Sequence, residues 1–275
     1  METPHGPGPL LSGLNAAVTG GADGIGGAIV AAFAAHGAHV LCVDRDEHAL
    51  ARIASAGAGT TPCNISTLAL DVTDADAATR IAASCEPDVV VNNVGHFLAP
   101  QTPFADSDPS DWDAIEAVNL THVLRATHAL LPGMVARGRG GSIVNLTTVE
   151  AFRGIPGHAV YAACKAAVTQ FGRALAVELG GHGIRVNAIA PDVIETPQLP
   201  YSEWVAEEER WRWRTWVPLA RHGSAHDVAG AALFLASPLS AFVTGTTVHV
   251  DGGTHAAGGW YPRRAGGWTN RPLEP

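Results

Sequence analysis

The chain has 275 residues, 47% of them hydrophobic and 16% charged, the composition of a folded protein with a large apolar core and not of a disordered one. A formal net charge of −9 and a pI near 5.7 give no general attraction to phosphate backbones or anionic lipid, which excludes nucleic acid and membrane surfaces as expected partners. The first residues, METPHGPGPLLSG, carry no basic region ahead of an apolar stretch, and no later segment approaches about 20 uninterrupted apolar residues, so a cytoplasmic location is expected.

Cys42, Cys63, Cys85 and Cys164 form no CxxC pair and read as free thiols, and the 13 histidines show no metal-ligand spacing, so neither a disulfide nor a metal is expected. Along the chain, apolar runs of strand length alternate with longer helix-compatible stretches, the pattern of a parallel sheet covered on both faces. Strands are expected at 14–19, 38–43, 68–70, 88–92, 142–146, 184–190 and 247–250, which fits one α/β domain with a doubly wound sheet over 13–253. A Gly/Pro-rich tail (1–12), a Trp-rich segment (192–222) and a Gly-rich tail (254–275) break the rhythm, and the middle one is the candidate substrate lid.

The first strand runs into Thr19-Gly20-Gly21-Ala22-Asp23-Gly24-Ile25-Gly26, and an Ala-rich helix-forming stretch follows. Glycines at such a turn let the backbone approach a pyrophosphate, while the helix N-terminus turns unpaired amides and its positive dipole end towards it. Gly20, Asp23, Gly24, Ile25 and Gly26 are therefore expected to hold a dinucleotide. Asp44 ends the second strand, about 20 residues on, where a carboxylate accepts hydrogen bonds from both ribose hydroxyls and repels a 2′-phosphate. This favours NAD over NADP; Arg45 beside it points the other way, as a cation suited to a phosphate.

Further on, Tyr161-Ala162-Ala163-Cys164-Lys165 lies in a helix-compatible stretch where the i, i+4 spacing sets phenol and ammonium on one face. A cation held near a tyrosine favours the phenolate, and the lowered pKa suits proton exchange with an alcohol or ketone. An ordinary helix face would show the same spacing, but Lys165 is the only lysine in a chain whose other side-chain cations are arginines. A surface role would have taken arginine too; this position keeps a compact ammonium.

With these motifs assembled, residues 12 to 253 resemble a short-chain dehydrogenase/reductase: TGGADGIG, Asp44, LDV at Leu70 to Val72, NNVG at Asn92 to Gly95, VNL at Val118 to Leu120, IVNLTT at Ile143 to Thr148, YAACK, and VNAIAPDVIET followed by VDGG. The resemblance implies a Rossmann-like sheet of about seven strands with helices on both faces, and a homodimer or homotetramer. It makes Tyr161 the acid/base, Lys165 its partner and a ligand of the nicotinamide ribose, and Asn119 the anchor of a water in a proton relay to Lys165. Asp71 and Val72 would flank the adenine, Asn93 and Gly95 would line the cofactor, and Ile194 and Thr196 would hold the nicotinamide carboxamide and phosphates.

Two positions depart from the family pattern. Thr148 stands where a serine normally binds the substrate oxygen; it keeps the hydroxyl but adds a methyl, and it is expected to take the serine's role ahead of Thr147. Asp192 stands where a glycine usually follows the proline, and the sequence offers no reason for a carboxylate there. His96, Glu150 and Phe152 fall at positions that line the substrate cleft in similar proteins. Six of the seven tryptophans, Trp204 among them, fall in the lid segment and tail, where they suit either a bulky apolar substrate or a subunit interface. The expected function is NAD-dependent interconversion of a secondary alcohol and a ketone on a steroid, terpene, aromatic or acyl alcohol. The alternatives are an NADPH-dependent carbonyl or 3-oxoacyl reductase, which Asp44 opposes, and a non-catalytic NAD-binding scaffold, which the retained Asn119, Tyr161 and Lys165 oppose.

Overall fold

The expected strands form one parallel sheet in a computed structural model of the chain, which describes residues 8–57, 64–98, 100–258, 261–262 and 268–269. Cys63, Trp260, the first seven residues and the last six lie outside the described residues. The strands are β1 (Asn15–Thr19), β2 (His39–Asp44), β3 (Ile65–Ala69), β4 (Val89–Asn92), β5 (Gly141–Leu146), β6 (Ile184–Pro191) and a seventh, Thr247–Val250, in the order β3-β2-β1-β4-β5-β6 and then the seventh. β3 begins three residues before its expected start, because this edge strand carries Ser66 and Thr67 on exposed positions and lacks a full apolar run.

Successive strand residues serve opposite faces. Val40 and Cys42 join one core with α1 (Gly24–Ala35) and the Ala225–Ala236 helix, while Leu41 and Val43 join a second core with α3 (Ala77–Ser84), α5 (His122–Arg137) and α6 (Ala159–Leu179). Both faces are therefore buried, which is why these strands read as continuous apolar runs. The Ala225–Ala236 helix starts on a capping box between Ser224 and Asp227, and Arg221 pairs with the same carboxylate at 2.9 Å.

The strand order reverses between β1 and β4, and at such a point the loops leaving the carboxyl ends part to form a crevice. The Thr19 hydroxyl bridges the two strands, since it accepts from Asn93 N at 3.1 Å and faces the Val91 carbonyl at 3.4 Å. Over one side of the crevice lies the 192–222 segment, built from short pieces. Strand Ile194–Glu195 pairs in parallel with Gly223–Ser224, and helical turns occupy Tyr201–Trp204 and Trp213–Trp216.

Candidate active site

The glycines after β1 sit where a side chain has no room. A Cβ on Gly26 would overlap the Gly20 carbonyl, and one on Gly20, whose φ is +62°, would meet Asn93 Nδ2 and Val94 Cγ2 at 2.9 Å. Asn93 locks this turn by donating to the Thr19 and Gly20 carbonyls at 3.2 and 2.9 Å. Asp23 caps α1 by accepting from Gly24 N at 2.7 Å, so Gly24 and Ile25 line the crevice mouth in a fixed backbone. From here a cleft of about 510 Å³ runs past Asp44, Arg45, Asp71, Val72, Asn93 and Gly95 to Tyr161, with Ile194 and Thr196 on the opposite wall. A bare backbone at the closest approaches, a helix N-terminus and a carboxylate at the end of β2 fit a nicotinamide dinucleotide.

Asp44 is fixed by accepting from Ala22 N and Asp46 N, both at 3.1 Å. Arg45 is exposed and turned to Asp71 at 3.4 Å. Burial pushes the Asp71 carboxyl up, but the Thr73 hydroxyl and amide and the Arg45 guanidinium outweigh it and hold the group below its ordinary range.

At the far end, α6 sets Tyr161 and Lys165 on one face, with the Lys165 Nζ 5.9 Å from the phenol ring centroid. Lys165 is only 2% exposed and donates to the Leu146 carbonyl at 3.2 Å; burial brings its pKa down to about 8. The phenol does not show the expected lowering. Burial pushes it up, the Glu150 charge adds to that, and a hydrogen bond with Thr148 opposes both. Lys165, 5.9 Å from the ring centroid, does not offset that burial.

Thr148 caps the 3₁₀ turn Val149–Ala151 by accepting from Glu150 N at 3.3 Å, and its hydroxyl faces the Pro191 carbonyl at 3.5 Å. Thr147 instead gives its hydroxyl to the Ile189 carbonyl at 3.0 Å, so Thr148 is the threonine available to a substrate oxygen. Asn119 lies in a π-helical turn, Ala117–Thr121, between α4 (Trp112–Glu116) and α5. Fully buried, it donates to the Ile115 and His96 carbonyls, both at 2.8 Å, and accepts from His96 N at 3.1 Å. Gly95 separates it from Lys165: a Cβ there would stand 2.5 Å from Nζ and 3.1 Å from Asn119 Oδ1.

The substrate edge holds what the sequence did not show. Arg153 donates to both Glu150 oxygens, at 3.0 and 3.3 Å, and to Asp192 Oδ2 at 2.7 Å, which also accepts from the Thr254 hydroxyl at 2.5 Å. Asp192 is thus tolerated because a guanidinium and a hydroxyl share its charge. His96 and Glu150 line the cleft as expected, and Phe97, which the sequence did not single out, sits tilted between the rings of His158 and Tyr161 with centroids 4.5 Å from each. Two expected substrate residues lie off the cleft wall. Phe152 packs on His249 and His255, at 4.9 and 5.7 Å, and Trp204 is 59% exposed; Gln198, Leu199 and Tyr201 supply that wall instead.

The fold and this cluster define an NAD(P)-dependent alcohol/ketone oxidoreductase, and the comparisons with known proteins agree. The family model described as enoyl-(acyl carrier protein) reductase matches residues 20–255. The 3-oxoacyl-(acyl-carrier-protein) reductase of Thermotoga maritima is 37% identical over 88% of this chain and 98% of its own length. Galactitol 2-dehydrogenase of Cereibacter sphaeroides is 39% identical over 88% and 95%. Among solved structures, a candidate NAD(P)-dependent gluconate 5-dehydrogenase from Beutenbergia cavernae, holding NADP at low occupancy, superposes with a TM-score of 0.80 at 33% identity over 90% of this chain and all of that one. The chain belongs to the short-chain dehydrogenase/reductase family.

Proposed function

We propose that the chain interconverts a secondary alcohol and a ketone with NAD, through Tyr161 as the proton-exchanging group. The observation that carries this is Thr148 and Tyr161 on one wall beside buried Lys165, at the end of a cleft that begins on the glycine turn. Gly20, Asp23, Gly24, Ile25, Asn93, Gly95, Ile194 and Thr196, which line the cleft, would hold the dinucleotide, Gly26 would keep the turn close-packed against the Gly20 carbonyl, Asp44 would hold the adenosine ribose, Asp71 and Val72 the adenine, and Lys165 the second ribose. Bound there, the nicotinamide supplies or takes up the hydride. In the oxidative direction the Tyr161 phenolate accepts the alcohol's proton while Thr148 Oγ1 holds the same oxygen. Lys165 and Asn119 return that proton towards solvent.

The preference for NAD rests on Asp44, held by two backbone amides, and on Arg45, already engaged with Asp71. Steady-state kinetics test it: kcat/KM at least tenfold higher with NAD(H) than with NADP(H) is expected, and the reverse order overturns it. An NADPH-dependent 3-oxoacyl reductase is the second reading, favoured by the likeness to the Thermotoga enzyme, and the same measurement with a 3-oxoacyl thioester decides between them. Residues 192–222 serve as the substrate lid in this reading, through Gln198, Leu199 and Tyr201. The bulky apolar substrate expected from the tryptophans is not retained, because Trp204, Trp211 and Trp216 are 59%, 49% and 69% exposed.

A further inference from the structure

Substrate charge is written into the far end of the cleft. Glu150 and Asp192 line it, with side chains only 14% and 12% exposed, and one guanidinium, Arg153, serves both. One cation between two carboxylates leaves a net negative charge. Arg153 itself is off the wall; among the described residues that line the cleft, the lysine and arginine cations are Arg45, beside Asp44 and Asp71, and Lys165, beside Tyr161. Asp192 Oδ1 accepts no hydrogen bond among the described residues, and His96, Gln198 and Tyr201 add further polar groups.

From this arrangement we infer that the site selects neutral, multiply hydroxylated alcohols and ketones and rejects those bearing a carboxylate or phosphate, with Glu150 and Asp192 as the selecting residues and Arg153 positioning them. Hydroxyl groups find carboxylate acceptors at this end, whereas an anion brought there meets like charge, and the guanidinium beside it is already taken up by both carboxylates. An apolar ring would leave Asp192 Oδ1 without a donor. The inference rests on the reading of this cleft as an alcohol-binding site, and it is tested without requiring turnover.

The NADH complex is titrated by calorimetry with pentitols and hexitols, with the aldonates of matching configuration, and with cyclohexanol. Binding of at least one polyol tenfold or more tighter than its aldonate and than cyclohexanol is expected, with the polyol-to-aldonate ratio falling at least threefold in Glu150→Gln or Asp192→Asn. Aldonate or cyclohexanol bound as tightly as the polyols, no polyol bound at all, or a ratio unchanged in both variants overturns the inference. Turnover is then measured with NAD. Selective binding without oxidation supports the selector and sinks the redox reading; oxidation of aldonates as readily as polyols sinks the selector and leaves the redox reading standing.

Discussion

Thr148 works through one oxygen, which accepts from Glu150 N and meets the Tyr161 phenol. Thr148→Ala should lower kcat/KM roughly 10²-fold or more while Thr148→Ser stays within about tenfold of the parent, as steady-state kinetics on folded variants will show. Because the Glu150 charge disfavours the phenolate, Glu150→Gln should move the rising limb of the oxidation profile to lower pH, read from kcat/KM against pH. His122 gives a stability test. Buried against the Val94 carbonyl and facing the Lys165 charge, it is lowered from 6.5 to about 4, chiefly by burial. The unfolded chain takes up a proton that the fold refuses, so its contribution is intact above pH 6.5 and is lost towards pH 4, about 3 kcal/mol in all. Denaturation of His122→Gln at pH 7 and pH 4.5 should show a smaller acid loss than the parent. Tyr161, Lys165, Asn119 and Thr148 were legible because they recur in ordered motifs. Arg153 and Phe97 were not, since a contact between β5 and β6 loops, or between a loop and a helix, leaves no spacing to read.

Elements place these groups by fitting closely at few points. A Cβ at Gly26 collides with backbone, which cannot swing aside as a side chain would. Gly26→Ala should abolish NADH binding in a fluorescence titration and cost about 1–3 kcal/mol in denaturant unfolding. Strand positions were legible to within a residue or so wherever both faces are apolar, as in β4 and β5. β3 was not, because its exposed serine and threonine look like loop. Neither the π-helical turn that carries Asn119 nor the short pieces of 192–222 left a period to detect, since each is set by side-chain hydrogen bonds: Asn119 to Ile115, and Ser202 to Glu195 at 2.7 and 3.0 Å.

At the scale of the molecule, the doubly wound sheet brings distant loops to one crevice while its outer surface keeps apolar groups in water. Val177 on α6 is 86% exposed and Phe242 fully so, and Leu124, Phe234 and Leu239 add to them. No helix among the described residues is long and apolar enough to cross a membrane. Exposed apolar groups of this kind mark contact surfaces, and we propose the homodimer or homotetramer that the resemblance implies. Sedimentation velocity should show a multiple of the 28.4 kDa chain, and Val177→Glu should shift it towards the monomer.

The hydrogen bond from Thr254 to Asp192 gives the chain's end a practical bearing on its reaction centre. Thr254 is 7% exposed and belongs to a short helical turn, so the stretch after Gly253 begins as part of the substrate rim and not as an appendage. A deletion ending at Gly253, made for crystallisation or expression, would free the Asp192 oxygen it now engages and leave Arg153 to hold that carboxylate alone. A protein shortened at Gly253 is therefore a poor stand-in for the longer chain in any assay of substrate preference.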